Sequence, residues 1–425
     1  MIKTSVIDPI SHSNQRSELR LEPGRVYKGS LRLGNLGCTL TNPANTSYLY
    51  NTASGVLSLI QNIYLYDGTQ LLEQLLDAHH MFAFRNLKNS LNAKNKNAYN
   101  FNINQQLIGL TNSYDIEADP RDLESRPKRV EMIDNAIHTV ADDDPDTTFK
   151  GWVDLLTHFN FLKNMVYSQD GQQLQLLDTN VFKNFRIIIE WRSAAELVSC
   201  FQGTTTALRA NILPPELYCD ELVGLSLPKN LSFQYDVYEL DKLVCVGRAN
   251  AGDVFTKSRL NGFNGKYLKR LLMANIEPAS LTNADAGAVD GIKCDGSKWF
   301  NGEILQLYVN GESLFDFNGI DSAARKACIL GDSWGTLNLP LLSYNVVPNP
   351  VFVSNLDKIV TKTVFNLMGR MNFGGCLVQQ RISEFVVEHK RIVAAAADPF
   401  LMYLFGEIAK QISMDGNGSY TISYV

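Results

Sequence analysis

Two stretches, Phe185-Arg-Ile-Ile-Ile-Glu-Trp-Arg192 and Glu384-Phe-Val-Val-Glu-His-Lys-Arg391, carry the same type of β-strand. Each is a β-branched or aromatic run that ends in an acidic residue followed by basic ones. A second pair of stretches precedes them in the same order, Leu65-Tyr-Asp-Gly-Thr-Gln-Leu-Leu72 and Tyr308-Val-Asn-Gly-Glu-Ser-Leu-Phe315. Two strand types that recur in one order predict a single all-β domain used twice.

Length and composition agree with two β-domains. The chain has 425 residues, and domains usually hold about 100–200 residues. Aromatic residues at 10% and 29 glycines suit strands and turns better than helical bundles. The net charge of −5 argues against a protein that coats nucleic acid over its whole surface, although it permits a local basic patch.

The cysteines and the apolar runs bear on the compartment. Seven cysteines are scattered without a Cys-x-x-Cys pair, which predicts reduced thiols in a cytosolic product rather than a zinc or redox motif. The N-terminus lacks the apolar stretch of a signal peptide. No apolar run approaches the roughly 20 residues of a membrane span. We therefore expect a soluble protein with neither a signal peptide nor a transmembrane segment.

The sequence predicts a chain of four parts. These are an N-terminal arm over 1–23, a first β-domain over 24–225, a second over 226–393, and a C-terminal helix and strand over 394–425. The first copy is about 45 residues longer between its turn and its closing strand. The polar, Asn-rich stretch 92–148 is the expected place for these residues, as a surface loop or tower with a binding role.

Helical periodicity predicts a few helices among the strands. They are expected over 70–91, within 152–167, over 321–330 and over 398–411. In the first of them, Glu73 should lie on the exposed face. In the last, Pro399 takes the favoured first turn and the chain then ends in an alternating strand.

Two groups of residues raise the question of a metal site. His79 and His80 are adjacent, so on a helix they point about 100° apart and do not easily bind one ion. We interpret them as structural or surface histidines. Asp142, Asp143, Asp144 and Asp146 could attract Ca²⁺. Pro145 and the missing Gly and Glu exclude an EF-hand loop, and a solvated acidic loop is the favoured interpretation.

A glycine-containing turn precedes a basic segment. Asn261-Gly-Phe-Asn-Gly265, followed by Lys266, Lys269 and Arg270, superficially resembles a phosphate cradle but lacks its Gly-Lys-Ser/Thr ending. A turn and a basic strand explain it better, although the basic group could still face nucleic acid or lipid headgroups. No nucleophile elbow or carboxylate pair stands out, so no catalytic, cofactor-binding or metal-binding residue is predicted.

The closing region resembles a known protein family. Val364-Phe-Asn-Leu-Met-Gly-Arg-Met-Asn-Phe-Gly-Gly375 and the following stretch from Arg381 to Arg391 resemble the end of a double jelly-roll major capsid protein. The nearest group is the adenovirus-like lineage in its polinton-like virus and virophage branch. Segments 154–191 and 306–335 are similar in character. The resemblance implies an all-β fold of two tandem eight-stranded antiparallel jelly-roll sandwiches with a few short helices.

The resemblance also implies a function. Such a chain would be a structural protein of the virion, three copies forming a pseudo-hexagonal capsomer that tiles an icosahedral shell. Its partners would be neighbouring capsomers, penton and minor capsid proteins, and an inner membrane or genome near the termini. Stretch 92–148 would lie on the outer face or at the contact within the trimer. Two alternatives stay open: a tandem β-sandwich that recognises a glycan or receptor, as a penton or spike component, and a β-sandwich hydrolase.

Overall fold

The structure is a computed structural model in which strands dominate. It describes residues 1–41, 46–50, 57, 59–79, 81–82, 137–140, 147–169, 172–193, 198–200, 209–228, 231–245, 254–276, 303–314, 373–391 and 400–425. No helix among these residues is long and apolar enough to span a membrane.

The first half of the chain forms two main antiparallel sheets and one small sheet. Its strands are β1 (Ile2–Ile7), β2 (Ser11–His12), β3 (Arg16–Arg20), β4 (Val26–Lys28), β5 (Arg32–Thr41), β6 (Thr46–Tyr50), β7 (Ile60–Asp67), β8 (Gln70–Leu75), β9 (Ile137–Val140), β10 (Thr147–Asp154), β11 (Val166–Gln169), β12 (Gln172–Asp178), β13 (Phe185–Trp191), β14 (Val198–Cys200), β15 (Arg209–Ile212) and β16 (Glu216–Leu222). A 3-10 turn (Leu155–Thr157) and a short helix α1 (Asn160–Asn164) follow β10.

The strand order of this half is that of a jelly roll. One sheet contains the neighbours β1-β16-β5-β10, and the other contains β3-β13-β7-β8. If the eight strands are lettered B to I in chain order, these sheets read B-I-D-G and C-H-E-F, the two sheets of an eight-stranded jelly roll. The small sheet β14-β6-β9 comes from the D–E, F–G and H–I connections, and these lie at one end of such a sandwich.

The second half repeats this order. Its strands are β17 (Ser232–Cys245), β18 (Val254–Leu260), β19 (Tyr267–Ile276), β20 (Glu303–Val309), β21 (Glu312–Ser313), β22 (Phe373–Arg381), β23 (Phe385–Arg391), β24 (Phe400–Met414) and β25 (Tyr420–Tyr424). The sheets β17-β24-β19-β22 and β18-β23-β20-β21 again read B-I-D-G and C-H-E-F, and β25 adds to β24. The predicted all-β fold of two tandem jelly rolls is confirmed. We call residues 2–222 the first roll and residues 232–424 the second roll.

The two stretches that predicted the duplication occupy equivalent places. β13 and β23 are the H strands, and each pairs with the E strand that precedes the matching turn. In the first roll the Asp67 carboxylate accepts the N–H of Asn184 at 2.7 Å. In the second, the Asn310 side chain accepts the N–H groups of Ser383 and Glu384 at 2.7 and 3.2 Å. The repeated turn residue therefore fixes the start of the H strand in both rolls.

The extra length of the first roll lies partly outside stretch 92–148. Strands G and H of the second roll are separated only by residues 382–384, whereas residues 155–184 separate them in the first. This connection carries α1 and the β11–β12 hairpin. Most of stretch 92–148, including the four aspartates, lies outside the described residues, so its expected position stays a prediction.

Two predicted helices are wrong over most of their described residues. Residues 70–75 form strand β8, because the turn at Gly68 folds them back onto β7, and helical residues begin only at Ala78. Residues 400–414 form the long strand β24, which pairs with β17 on one side and with β19 and β25 on the other. Residues 402–410 are all buried, and a continuous apolar run of this kind fits a central strand as well as a helix.

Three other predictions concern a helix within 152–167, the N-terminal arm and a helix over 321–330. The predicted helix within 152–167 is limited to α1, because residues up to Asp154 still belong to β10. The predicted N-terminal arm over 1–23 instead supplies β1 and β3, strands B and C of the first roll. The helix predicted over 321–330 lies outside the described residues.

One continuous apolar core runs through both rolls. Fully buried side chains from Leu19 in the first roll to Ile412 in the second belong to a single cluster of touching residues. Strand β13, with five of its seven side chains buried, lies at the centre of its sheet between β3 and β7. The rolls therefore share their interior instead of meeting through a polar linker.

Candidate functional site

The described residues that suggested metal or phosphate chemistry do not form a binding site for either. His79 is buried on a short helical segment, while His80 lies outside the described residues. Among the residues that the structure describes, no three His, Cys, Asp or Glu side chains are grouped so as to hold a metal ion. Residues 261–265 form the turn between β18 and β19, with Phe263 fully buried, as the turn interpretation predicted.

The basic residues of β19 and its preceding turn are paired with acids. Lys266 contacts Glu239, Lys269 Nζ lies 2.6 Å from Asp236 Oδ1, and Arg270 Nε lies 3.4 Å from Glu407 Oε2. The first two pairs reach across β24 to β17, and the third joins the neighbouring strands β19 and β24. The basic segment thus forms a mixed-charge array, which is a weaker attractor of anions than the sequence suggested.

The contact between the two rolls combines hydrogen bonds, aromatic packing and an ion pair. It is formed by α1 and β8 of the first roll and by β17 and β25 of the second. We call it the inter-roll contact. Because it fixes how the two rolls sit together, it is the candidate functional site.

A buried carboxylate holds α1 in place. Glu73 on β8 is fully buried, and its oxygens accept the N–H groups of Asn160 and Phe161 at 3.1 and 2.7 Å. These N–H groups lie in the first turn of α1 and have no partner within the helix. The Asn160 side chain in turn donates to the carbonyl of Asp236 on β17 at 2.7 Å. Glu73 therefore aligns α1 for its contact with the second roll.

Aromatic rings fill the centre of the inter-roll contact. Phe161 on α1 packs edge-on against Phe182 and Tyr235, with ring centroids 5.2 and 5.6 Å apart. Phe233 on β17 adds a third ring at 5.9 Å, and Tyr420 on β25 lies 5.0 Å from Phe182. Edge-to-face pairs at these distances are favourable beyond the area they bury.

Polar groups join the rolls around these rings. The Tyr235 hydroxyl donates to the Leu72 carbonyl at 2.8 Å, and the Tyr420 hydroxyl donates to Asp67 Oδ2 at 2.8 Å. Lys242 Nζ lies 2.6 Å from Asp77 Oδ2. Asp67 thus accepts two hydrogen bonds, one from Tyr420 across the inter-roll contact and one from the Asn184 N–H at the start of β13. The burial of both tyrosines raises the pKa of each hydroxyl, so both remain donors at neutral pH.

Strand β25 also covers a charged group inside the second roll. The Tyr424 hydroxyl donates to Glu239 Oε1 at 2.5 Å. Lys266 Nζ and Lys410 Nζ lie 4.9 and 5.1 Å from the Tyr424 ring centroid, within the range of cation–π attraction. Burial lowers the pKa of Lys410, and nearby Glu239 and Glu73 act against that shift. The last strand therefore holds Tyr420 against the first roll at one end and packs Tyr424 within the second roll at the other.

Sequence reasoning did not find the inter-roll contact. It placed Glu73 on an exposed helix face, although the residue is a buried helix cap on a strand. The duplication itself could have predicted that β24 is a strand. The duplication requires an I strand after each H strand, and Glu216–Leu222 in the first roll implied a counterpart beyond residue 391.

Comparisons with known proteins identify the architecture. No family model and no curated protein sequence matches the chain. Solved structures do match along nearly its whole length. The major capsid protein of mavirus has a TM-score of 0.58 at 10% identity, covering 99% of this chain and 90% of that one.

Two further structures give the same result. The cryo-EM structure of the Sputnik virophage matches with a TM-score of 0.57 at 10% identity, covering 100% of this chain and 88% of that one. VP54 of PBCV-1, fitted into a reconstruction of Sputnik, matches with a TM-score of 0.53 at 10% identity, covering 100% and 97%. At this identity the matches establish a shared fold, the double jelly roll.

Proposed function

We propose that the chain is the major capsid protein of an icosahedral virus, with three copies forming a pseudo-hexagonal capsomer. The fold is shared with the capsid proteins of mavirus and Sputnik over nearly the full chain. Its work is structural and involves no turnover. Its location is the virion, and its partners are further copies of itself, with penton and minor capsid proteins at the special positions of the shell.

The observation that carries this proposal is the continuous core shared by the two rolls. Two similar sandwiches held rigidly side by side give one chain two similar outer flanks. Three chains around a three-fold axis then present six similar flanks, which suits a hexagonal tile. A flexible linker would not keep that outline, because domains joined by a small polar contact move relative to each other.

The unequal G–H connection supports the same role. Its helix α1 is absent from the short G–H turn of the second roll, residues 382–384. In the first roll α1 contacts β17 through Asn160 and Phe161. The insertion therefore both joins the rolls and makes them distinguishable, so that neighbouring subunits meet a defined flank. We place the boundary between the rolls in segment 223–231.

Size-exclusion chromatography with light scattering, followed by negative-stain imaging, tests the proposal. The expected result is a particle of three chains with a six-sided outline, which forms curved sheets or shells at higher concentration. A protein that stays monomeric at every concentration would contradict it. A tandem β-sandwich that binds a glycan or receptor would instead give discrete particles without lateral contacts on every side.

A further inference from the structure

The two rolls of one chain meet through unlike edges. Strand F of the first roll, β8, and strand B of the second roll, β17, are each the last strand of their sheet. Tyr235 on β17 donates to the Leu72 carbonyl on β8 at 2.8 Å, and Lys242 Nζ on β17 lies 2.6 Å from Oδ2 of Asp77, just beyond β8. The inter-roll contact is therefore heterologous, because an F edge packs against a B edge.

A contact of this kind leaves one edge of each type unused. Among the described strands, β1, strand B of the first roll, pairs only with β16, and β21, strand F of the second roll, pairs only with β20. Both residues of β21, Glu312 and Ser313, are exposed. Strand G of the second roll, β22, ends the facing sheet on the same side. The chain therefore has a free B edge on its first roll and a free F edge on its second.

The two B edges differ in burial. Tyr235 and Tyr238 point to opposite faces of β17 and are only 2% and 7% exposed. No residue of β1 is buried, and its Ile2 and Val6 are 56% and 51% exposed. Apolar residues on an open sheet edge indicate a surface that another chain covers.

The outer faces of the two B-I-D-G sheets are otherwise built alike. On strand I of the first roll, Asp220 lies 3.3 Å from Arg32 of strand D. On strand I of the second roll, Glu407 lies 3.4 Å from Arg270 of strand D. These acid–arginine pairs mark equivalent positions in the two sheets.

The strand B residues beside these acids can then be compared. Thr4 lies opposite Asp220 in the first roll, and Tyr238 lies opposite Glu407 in the second. Tyr238 shares its face of β17 with Lys242, which forms the ion pair with the first roll. The neighbouring roll therefore covers in the second roll the face that stays open around Thr4 in the first.

We propose that the free B edge of one copy packs against the free F edge of another, so that β1 meets β21 and β22 and the inter-roll contact is repeated between chains. The inference rests on the proposed function, because a heterologous contact closes after three copies only in a three-fold particle. Six rolls then follow one another around the axis, F edge to B edge, each turned by about 60°. Rotation about that axis keeps every chain the same way up, so all copies present the same end to the outside of the shell.

Photo-cross-linking of the full chain tests which surfaces meet. Val6→p-benzoylphenylalanine places the reactive ring on an exposed position of β1. Irradiation of the three-chain particle to high yield should give covalent dimers and trimers on a denaturing gel, since each copy offers both a B edge and an F edge. Mass spectrometry should locate the links in residues 303–314 or 373–381 of another copy. Links elsewhere would overturn the proposal, as would dimers without trimers, the limit of a two-fold contact.

The matched control uses Val244, which is 56% exposed on β17. Because the first roll already covers that edge within the chain, Val244→p-benzoylphenylalanine should give no links between chains of the three-chain particle. Equal yields of covalent trimer from positions 6 and 244 would contradict the proposal.

A charge on β1 tests the same contact without a cross-linker. Val6→Asp should leave the fold of the single chain unchanged, because the side chain is exposed there. It should weaken three-chain association by about tenfold or more, because the contact would bury an unpaired charge. Val244→Asp should leave association unchanged. Unchanged association in Val6→Asp, or equal weakening by both substitutions, would overturn the proposal.

The outcomes separate this inference from the proposed function. Three-chain particles without links from position 6 to the second roll would overturn the edge contact and leave the capsid role standing. Links at the expected place in assemblies that never close at three copies would support the edge contact while contradicting the capsid role. Single chains without any links would overturn both.

Discussion

Replacing Tyr420 with phenylalanine removes one hydrogen bond between the rolls and leaves the ring in place. The hydroxyl donates to Asp67 Oδ2 at 2.8 Å, and the ring packs 5.0 Å from Phe182. A hydrogen bond to a charged group contributes roughly 1.5–3 kcal/mol. Because this one is only partly buried, solvent screening places the expected loss of unfolding free energy at about 1–2 kcal/mol.

The measurement is urea unfolding followed by amide hydrogen exchange. Tyr420→Phe should increase exchange in α1 and β17, which meet at the inter-roll contact. The control is Tyr64→Phe, whose hydroxyl donates to Glu190 at 3.1 Å within the first roll. That variant should increase exchange in β7 and β13 instead.

A double-mutant cycle with Asp67→Asn isolates the pair. Asparagine keeps an acceptor for the Asn184 N–H, so the start of β13 should stay fixed. The coupling energy between the two substitutions should reach about 1 kcal/mol. A loss below about 0.3 kcal/mol in Tyr420→Phe, or exchange that rises equally in both rolls, would refute the idea that this bond joins them.

Three further predictions concern the same core. Burial raises the pKa of Tyr235, Tyr420 and Tyr424 above the ordinary value of 10.0, so their contribution to stability is complete below about pH 10 and lost as the pH rises through the raised values. Lys410, with its lowered pKa, acts in the opposite direction below 10.5, but three groups outnumber one. Denaturant unfolding should therefore show lower stability at about pH 11 than at about pH 8, with a smaller difference in Tyr424→Phe. Gly406→Ala would place a methyl group 2.5 Å from the Phe263 ring and 2.9 Å from Leu268 in a filled core, costing about 1–3 kcal/mol of unfolding free energy, and adding Phe263→Leu should recover part of it; an additive effect of the two would contradict the clash. Glu73→Gln leaves one acceptor for two N–H groups, so stability should fall by about 1–3 kcal/mol with faster exchange in α1, and unchanged exchange there would mean that Glu73 does not hold the helix.

The duplication was accessible from the sequence because it depends on local patterns. A β-branched run such as Phe185–Trp191 and a turn at Asp67 or Asn310 have the same meaning wherever they occur, since they follow from backbone preferences and side-chain alternation. Their recurrence in one order was enough to predict two all-β units. The later comparisons agree with that fold.

The helix predictions failed where the partner strand decides the conformation. Residues 400–414 have an apolar stripe at helical spacing, yet β17 pairs along the whole segment, and residues 402–410 are buried on both faces of the sheet. Residues 70–75 fold onto β7 in the same way. In both segments the strand conformation depends on a partner strand, β17 or β7. A local pattern of apolar residues does not indicate whether such a partner is present.

The sequence by itself determined that this is a β-protein built from one unit used twice, because strand and turn preferences are local and each copy carries them. The tertiary structure alone decided how the units are joined. Asp67 and Glu73 are far in the chain from Phe161 and Tyr420, and no local motif brings these residues together. Their meeting depends on long-range pairing of strands and on an inserted helix.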